Sequence, residues 1–155
     1  MQPLKEAVQF LRQLNHFKVE YLIIGGAAVN VHGYTRATGD LDIWYNPTQR
    51  NFENLIAAIE SFGFDISPVK NQNQPIEKSF IRIPLDFFSV ELLSIIDGNL
   101  KFDEAYTKPF FITIENIQVP VIGYDDLIEN KIMSRRPKDL EDIAQLEKRK
   151  GKSSN

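Results

Sequence analysis

The sequence predicts an α+β (α/β) fold, and three observations support it. Apolar stripes at helical spacing recur near both ends and once in the middle of the chain. Between them lie short apolar or alternating runs of strand length, bounded by Gly, Pro and Asn. The length of 155 residues suits one domain, expected over residues 1–150 with a disordered tail at 151–155.

Leu4, Ala7, Val8, Leu11 and Leu14 mark one face of a first helix, with Pro3 acceptable in its first turn. Tyr21, Leu22, Ile23 and Ile24 form a β-branched-rich run that ends at Gly25-Gly26, as a buried strand entering a tight turn would. Ala27 to His32 then allow about one and a half helical turns before Gly33, which suits the left-handed position that ends helices. Asp40-Leu41-Asp42-Ile43-Trp44 is the second strand. Its alternation sends Asp40 and Asp42 to one side and Leu41 and Ile43 toward the core.

After a turn at Asn46-Pro47-Thr48, the residues Phe52, Leu55, Ile56, Ile59 and Phe62 line a helix that stops near Gly63. Phe64, Ile66 and Val69 suggest a short strand, and Lys70 to Pro75 a polar loop. Ser79 to Ile83 and Asp86 to Leu93 read as two strands around Pro84, with Phe87, Ser89, Glu91 and Leu93 on one face of the second. Glu91 is a charge inside an apolar strand, so it must face solvent or join other charges. Ile95 to Asn99 is a turn, followed by a helical turn at Phe102, Ala105 and Tyr106. Phe110–Ile114 and Ile117–Val121 form a hairpin across Glu115-Asn116, expected at the sheet edge. Two helices follow from Tyr124. Asp126 and Glu129 have capping-box spacing, Leu127, Ile128 and Ile132 supply an apolar face, Pro137 ends one helix or opens the next, and Leu140, Ile143, Ala144 and Leu146 line the second.

The chemistry concentrates between Tyr21 and Tyr45. Glycines ahead of a helix let the backbone approach a ligand, and the free N–H groups there favour an anion such as phosphate. Adjacent carboxylates repel unless a cation joins them, and Mg²⁺ is commonly held by one or two carboxylates plus substrate phosphates. Alone, the D-x-D pattern fits the solvent face of a half-buried strand better than a metal site, and the diglycine turn reverses that reading. Arg36, with its planar, permanently charged fork, suits a triphosphate, while His32 either faces the same ligand or caps its helix. Lys131 falls beside an apolar stripe, where a lysine commonly lays its stem on the core. Asp139 fits an acid at a helix N-terminus.

Gly25-Gly26, thirteen intervening residues and Asp40-Leu41-Asp42 resemble the G-[GS]…D-x-D hallmark of the DNA polymerase β-like nucleotidyltransferase superfamily. The string GGAAVNVHGYTRATGDLDI is similar to small prokaryotic stand-alone members, including those related to the toxin component of abortive-infection toxin–antitoxin pairs. The resemblance covers most of residues 20–146. It implies a mixed-sheet palm with helices mainly on one side and two C-terminal helices. It also implies that Gly25 and Gly26 bind an NTP, and that Asp40, Asp42 and a third carboxylate on a later strand hold two Mg²⁺ ions, with Mn²⁺ as an alternative. Glu91 takes the third place, where the family usually has Asp. Lys131, ahead of the string Arg136-Pro137-Lys138-Asp139-Leu140-Glu141-Asp142, would contact phosphate together with Arg36, and Asp139 would lie near the site or fix a basic residue. The implied function is Mg²⁺-dependent transfer of an NMP from an NTP to an acceptor hydroxyl on tRNA, a protein or a small molecule, with release of pyrophosphate. A noncatalytic nucleotide-binding or protein-interaction module with the same fold is the alternative, and a metal-dependent phosphoesterase a third reading. A toxin-like member would have an antitoxin-like protein partner.

Composition narrows the classes. A net charge of −3 argues against nonspecific coating of nucleic acid, although from Lys131 onward eight basic residues stand against four acidic ones. With 43% hydrophobic residues and no apolar run near the roughly 20 residues a bilayer requires, no membrane partner is expected. The absence of cysteine excludes disulfides and fits a cytoplasmic location, and two histidines make a histidine-based metal centre implausible.

Overall fold

Tyr21–Ile24 (β1) is buried on both faces, which makes this short apolar run the centre of the sheet. The structure is a computed structural model that describes residues 2–70 and 78–153. Residues 71–77, within the polar loop expected from Lys70, and residues 154–155 of the expected tail lie outside the described residues. The chain begins with α1 (Gln2–His16), β1, α2 (Gly25–Val31), β2 (Asp40–Tyr45), α3 (Gln49–Ser61) and a single turn, α4 (Ser67–Lys70). It continues with β3 (Phe80–Pro84), β4 (Ser89–Leu93), α5 (Phe102–Ala105), β5 (Phe110–Ile114), β6 (Ile117–Val121), α6 (Tyr124–Ser134) and α7 (Pro137–Ser153).

Six strands form one mixed sheet in the order β3-β4-β2-β1-β6-β5. β1 pairs antiparallel with β2 and parallel with β6, while β2 pairs parallel with β4. Neighbouring residues on β2 show which helices cover which face, because strand side chains alternate. Tyr45 meets Phe52 of α3 at 6.1 Å between ring centroids, whereas Trp44 meets Phe102 of α5 at 5.2 Å. The buried tyrosine and tryptophan also satisfy their polar ends: Tyr21 Oη donates to Asn15 Oδ1 at 2.8 Å, and Trp44 Nε1 donates to the Ser94 carbonyl at 3.2 Å.

Four local expectations change. Phe64 to Val69 does not form a strand: Asp65 Oδ1 accepts from the Ser67 N–H, and with Pro68 in the first turn the segment folds into α4. The strand expected from Asp86 starts only at Ser89, because Leu85 N donates to the Phe88 carbonyl in a tight turn whose Asp86 and Phe87 N–H groups donate to the Glu6 carboxylate. α6 starts at Tyr124 on a Gly123 N-cap, so Asp126 and Glu129 make no capping box, and Asp126 is buried 3.8 Å from Lys108 instead. α7 continues through Gly151 to Ser153, into the segment expected to be a disordered tail. The hairpin forms as expected at the sheet edge, with Glu115 and Asn116 both at positive φ, the primed geometry that matches strand twist.

Candidate active site

Where β1 gives way to α2, the sequence places the two residues the geometry demands. Gly25 adopts φ +66°, a conformation L side chains rarely take, and a Cβ there would run into the Asp42 carboxylate. A Cβ on Gly26 would stand 2.7 Å from Thr38 Oγ1 and 3.2 Å from Arg36 Nη1. Any larger residue would separate the turn from both neighbours. α2 ends as the sequence suggests: Gly33 is left-handed, and the Tyr34 N–H donates back to the Val29 carbonyl.

The β2–β4 register sets Asp42 directly beside Glu91 and Asp40 beside Ser89. Burial pushes the Asp42 carboxyl up to about 7, and the adjoining Glu91, within hydrogen-bond reach, adds to the shift, as does Asp40. Asp42 Oδ1 is buried with no protein partner. Glu91 is flanked on its other side by Arg82, whose Nε stands 4.0 Å away. A buried, unpartnered carboxylate oxygen next to a second carboxylate suits a hard cation, which would relieve both the repulsion and the unmet acceptor. Among the described residues no group of three or more His, Cys, Asp or Glu is placed to hold one ion. The donor set that fits a cation is therefore the Asp42–Glu91 pair, with Asp40 two residues back on the same face.

Around this pair runs a cleft of about 330 Å³, lined by Gly25, Asp42, Glu91, Asp97, Lys131 and Arg136 among others. Gly26, Arg36 and Asp40 do not line it. Lys131 and Arg36, the two cations expected to contact phosphate, have their charges engaged within the protein. Lys131, its side chain 3% exposed, places Nζ 2.9 Å from both Asp139 Oδ1 and Asp142 Oδ2. Arg36 makes a two-point contact with Asp142, Nε–Oδ1 2.7 Å and Nη2–Oδ2 2.9 Å, and its backbone N–H donates to Asn30 Oδ1.

Asp139 accepts four hydrogen bonds, from Lys131 Nζ, Ser134 Oγ, Arg136 N and Arg136 Nε. Burial works to raise its carboxyl, but these donors outweigh it and hold the group well below the usual carboxylate range. The same balance, burial against Arg36 and Lys131, lowers Asp142. Asp139 also caps α7 by accepting from the Arg136 N–H, so it is both an N-terminal helix acid and an anchor for cations. His32 turns away from the carboxylates: its Nε2 lies 2.7 Å from the Ile122 carbonyl, which fixes Nε2 as the protonated nitrogen, and its ring packs against Phe110 and Tyr124.

Two functional groups escape the reading by periodicity. Arg136, 71% exposed, is tied to Asp139 through Nε and lines the cleft. Asp142, 1% exposed, joins Arg36 to Lys131. Leu140, expected on the apolar stripe, is exposed instead. The signal that could have found the aspartates is their own i, i+3 spacing on one helical face opposite a lysine-bearing helix.

A family model described as a nucleotidyltransferase of unknown function (DUF6036) matches residues 2–148. No curated protein matches. Among solved structures, a candidate nucleotidyltransferase from Thermotoga maritima superposes with a TM-score of 0.65 at 16% identity, over 93% of this chain and 91% of that one. The lincosamide antibiotic adenylyltransferase LnuA, solved with lincomycin bound, superposes with a TM-score of 0.59 at 19% identity, over 92% of this chain and 95% of that one.

Proposed function

Since the chain belongs to the DUF6036 nucleotidyltransferases, we propose that it moves a nucleoside monophosphate from an NTP to an acceptor hydroxyl, with release of pyrophosphate. The supporting observation is the Asp42–Glu91 pair, in which one Asp42 oxygen, Oδ1, is buried without a protein partner while the other, Oδ2, lies against the Gly25 turn.

A divalent cation such as Mg²⁺, held by Asp42 and Glu91 with Asp40 beside them, would neutralise charge on the triphosphate and ease deprotonation of the acceptor hydroxyl. The backbone of Gly25, which lines the cleft, lets the phosphates approach the strand end, while Gly26 holds the turn against Thr38 and Arg36. Arg136 binds phosphate oxygens with the guanidinium nitrogens that Asp139 leaves free. Arg36 acts one layer further back, and Lys131 lines the cleft with its ammonium engaged by Asp139 and Asp142. With Arg136 they bring three positive charges against the two of Asp139 and Asp142, so the wall carries one net positive charge beside the carboxylates. The acceptor oxygen bonds to the α-phosphorus as the bridge to the β-phosphate breaks, and its proton passes through a carboxylate of the pair to water.

The test is a thermal-shift measurement with each NTP, with and without Mg²⁺, on the wild type and on the Asp40→Asn, Asp42→Asn double variant. A ligand at 100 times its dissociation constant adds about 2.7 kcal/mol, which a melt resolves. A Mg²⁺-dependent shift that the variant loses is the expected result. No shift with any NTP would favour the noncatalytic interaction module, and free NMP with pyrophosphate but no acceptor product would favour hydrolysis.

A further inference from the structure

Along the same face of the sheet, a second pocket of about 290 Å³ is walled by Trp44, Pro47, Ile95, Leu100 and Phe102. Ile95 lines both this pocket and the carboxylate cleft, and it is 63% exposed, an apolar ridge between two hollows. Asp42 and Trp44 share a face of β2, and two strand residues span about 6.6 Å. The pocket therefore begins within a small molecule's length of the Asp42–Glu91 pair. Its volume of about 290 Å³ falls just short of the range of ligand sites, about 300 to 1,000 Å³, which suits a small ligand.

Two polar side chains of this wall are already engaged within the protein. Trp44 Nε1 donates to Ser94, and the Asn46 amide donates to Glu20 Oε1 at 3.0 Å. What the wall offers a ligand is apolar contact. Lys101 and Asp103 line the pocket and cancel, so it carries no net positive charge to hold a polyanion, and the neighbouring charges on the same segment, Asp97 and Glu104, are both acidic.

We propose that this pocket is the acceptor subsite, and that it takes a small alcohol with an apolar body and no anionic group. The body rests against Pro47, Leu100 and Phe102, and the hydroxyl reaches over Ile95 to the carboxylates. Its oxygen bonds to the α-phosphorus of the NTP, pyrophosphate leaves with the electrons of the broken bridge, and the hydroxyl proton passes through the carboxylate pair to water. The proposal rests on the nucleotidyl-transfer reading of the neighbouring cleft.

Trp44 is the chain's one tryptophan, so its fluorescence reports on the pocket without nucleotide. The probes are phenyl glucoside, benzyl alcohol and octyl glucoside, with phenyl phosphate as the anionic counterpart. At least one neutral probe should change Trp44 emission saturably and accept label from an α-phosphorus-labelled NTP, while phenyl phosphate does neither. Leu100→Glu should weaken that probe by about ten-fold or more, the cost of a charge in an apolar wall, while keeping the Mg²⁺–NTP thermal shift. Pro47→Glu, at a half-buried position that lines this pocket and not the carboxylate cleft, provides the same contrast should Leu100→Glu fail to fold. A silent Trp44 beside an intact NTP shift overturns the pocket alone, as does equal probe binding in wild type and both variants, or preferential labelling of added RNA. Loss of the NTP shift in the wild type counts instead against the reading of the cleft.

Discussion

Arg36 and Asp142 meet in a forked, two-point contact across 106 residues of sequence, tying the loop between α2 and β2 to the last helix. The geometry is the strong form of an ion pair, with parallel N–H···O bonds and a partner that is 1% exposed. Replacing Asp142 by Ala should cost about 3–5 kcal/mol, because two cations lose a buried partner. Arg36→Ala should cost less, since water can reach its site, and a double-mutant cycle in urea should return a coupling of about 0.5–3 kcal/mol.

Lys131 makes a separate prediction. Two aspartates of 0% and 1% exposure depend on its ammonium. Lys131→Met would leave Asp139 with Ser134 and Arg136 and Asp142 with Arg36, but take from both buried carboxylates the ammonium they share, with an expected loss of about 3 kcal/mol in denaturant melts and a lowered Tm. A Lys131→Met protein of wild-type stability but impaired NTP binding would restore a direct phosphate role.

Asp42 should make the metal-free protein less stable as pH rises. Its folded carboxyl sits at about 7, above the ordinary 3.8, so the stabilising contribution of its proton is complete below about pH 4 and lost as pH climbs to 7. Asp42→Asn removes this dependence. Near pH 4 the two proteins should melt alike, whereas at pH 8 the metal-free variant should melt higher and Mg²⁺ should stabilise the wild type alone. Equal melting at pH 8 would show that Asp42 carries no such strain.

Gly25→Ala tests the turn. The left-handed backbone alone costs a side chain about 1–2 kcal/mol, and the new Cβ would also displace the Asp42 carboxylate. The variant should lose the Mg²⁺–NTP shift by more than its reduced stability explains.

Arg136→Ala should behave in the opposite way. Its side chain is 71% exposed and Asp139 keeps three other donors, so stability should fall by no more than about 1 kcal/mol. The KM for NTP should rise by about ten-fold or more, as expected for a lost charge-assisted phosphate contact. An unchanged KM would remove Arg136 from the phosphate site.

How much of this was legible in the sequence depends on whether a contact is local. The turn at Gly25-Gly26 and the alternation of Asp40 to Trp44 follow from neighbouring residues, and both elements form where expected. Glu91 could be read as an acid in need of company, but only the parallel β2–β4 register assigns Asp42 as its neighbour. The resemblance set Asp139 near the site or beside a basic residue, but the rest of the cluster, Arg36 and Lys131 joined through Asp142, escapes periodicity for a physical reason. Apolar periodicity marks Leu140 as inward, yet a face that buries two carboxylates against a lysine reads as the solvent side of any helix. Burial by pairing leaves no hydrophobic trace.

The Arg36–Asp142 fork also bears on synthesis. A chain made from its N-terminus can form the Gly25 turn and pair β1 with β2 early, but Arg36 has no Asp142 until α7 is translated. Lys131 likewise lacks both its aspartates while α6 emerges. The nascent protein thus passes through a stage with much of its sheet available and one wall of its cleft missing, so nucleotide-binding competence should appear abruptly, when α7 docks, and not grow with chain length.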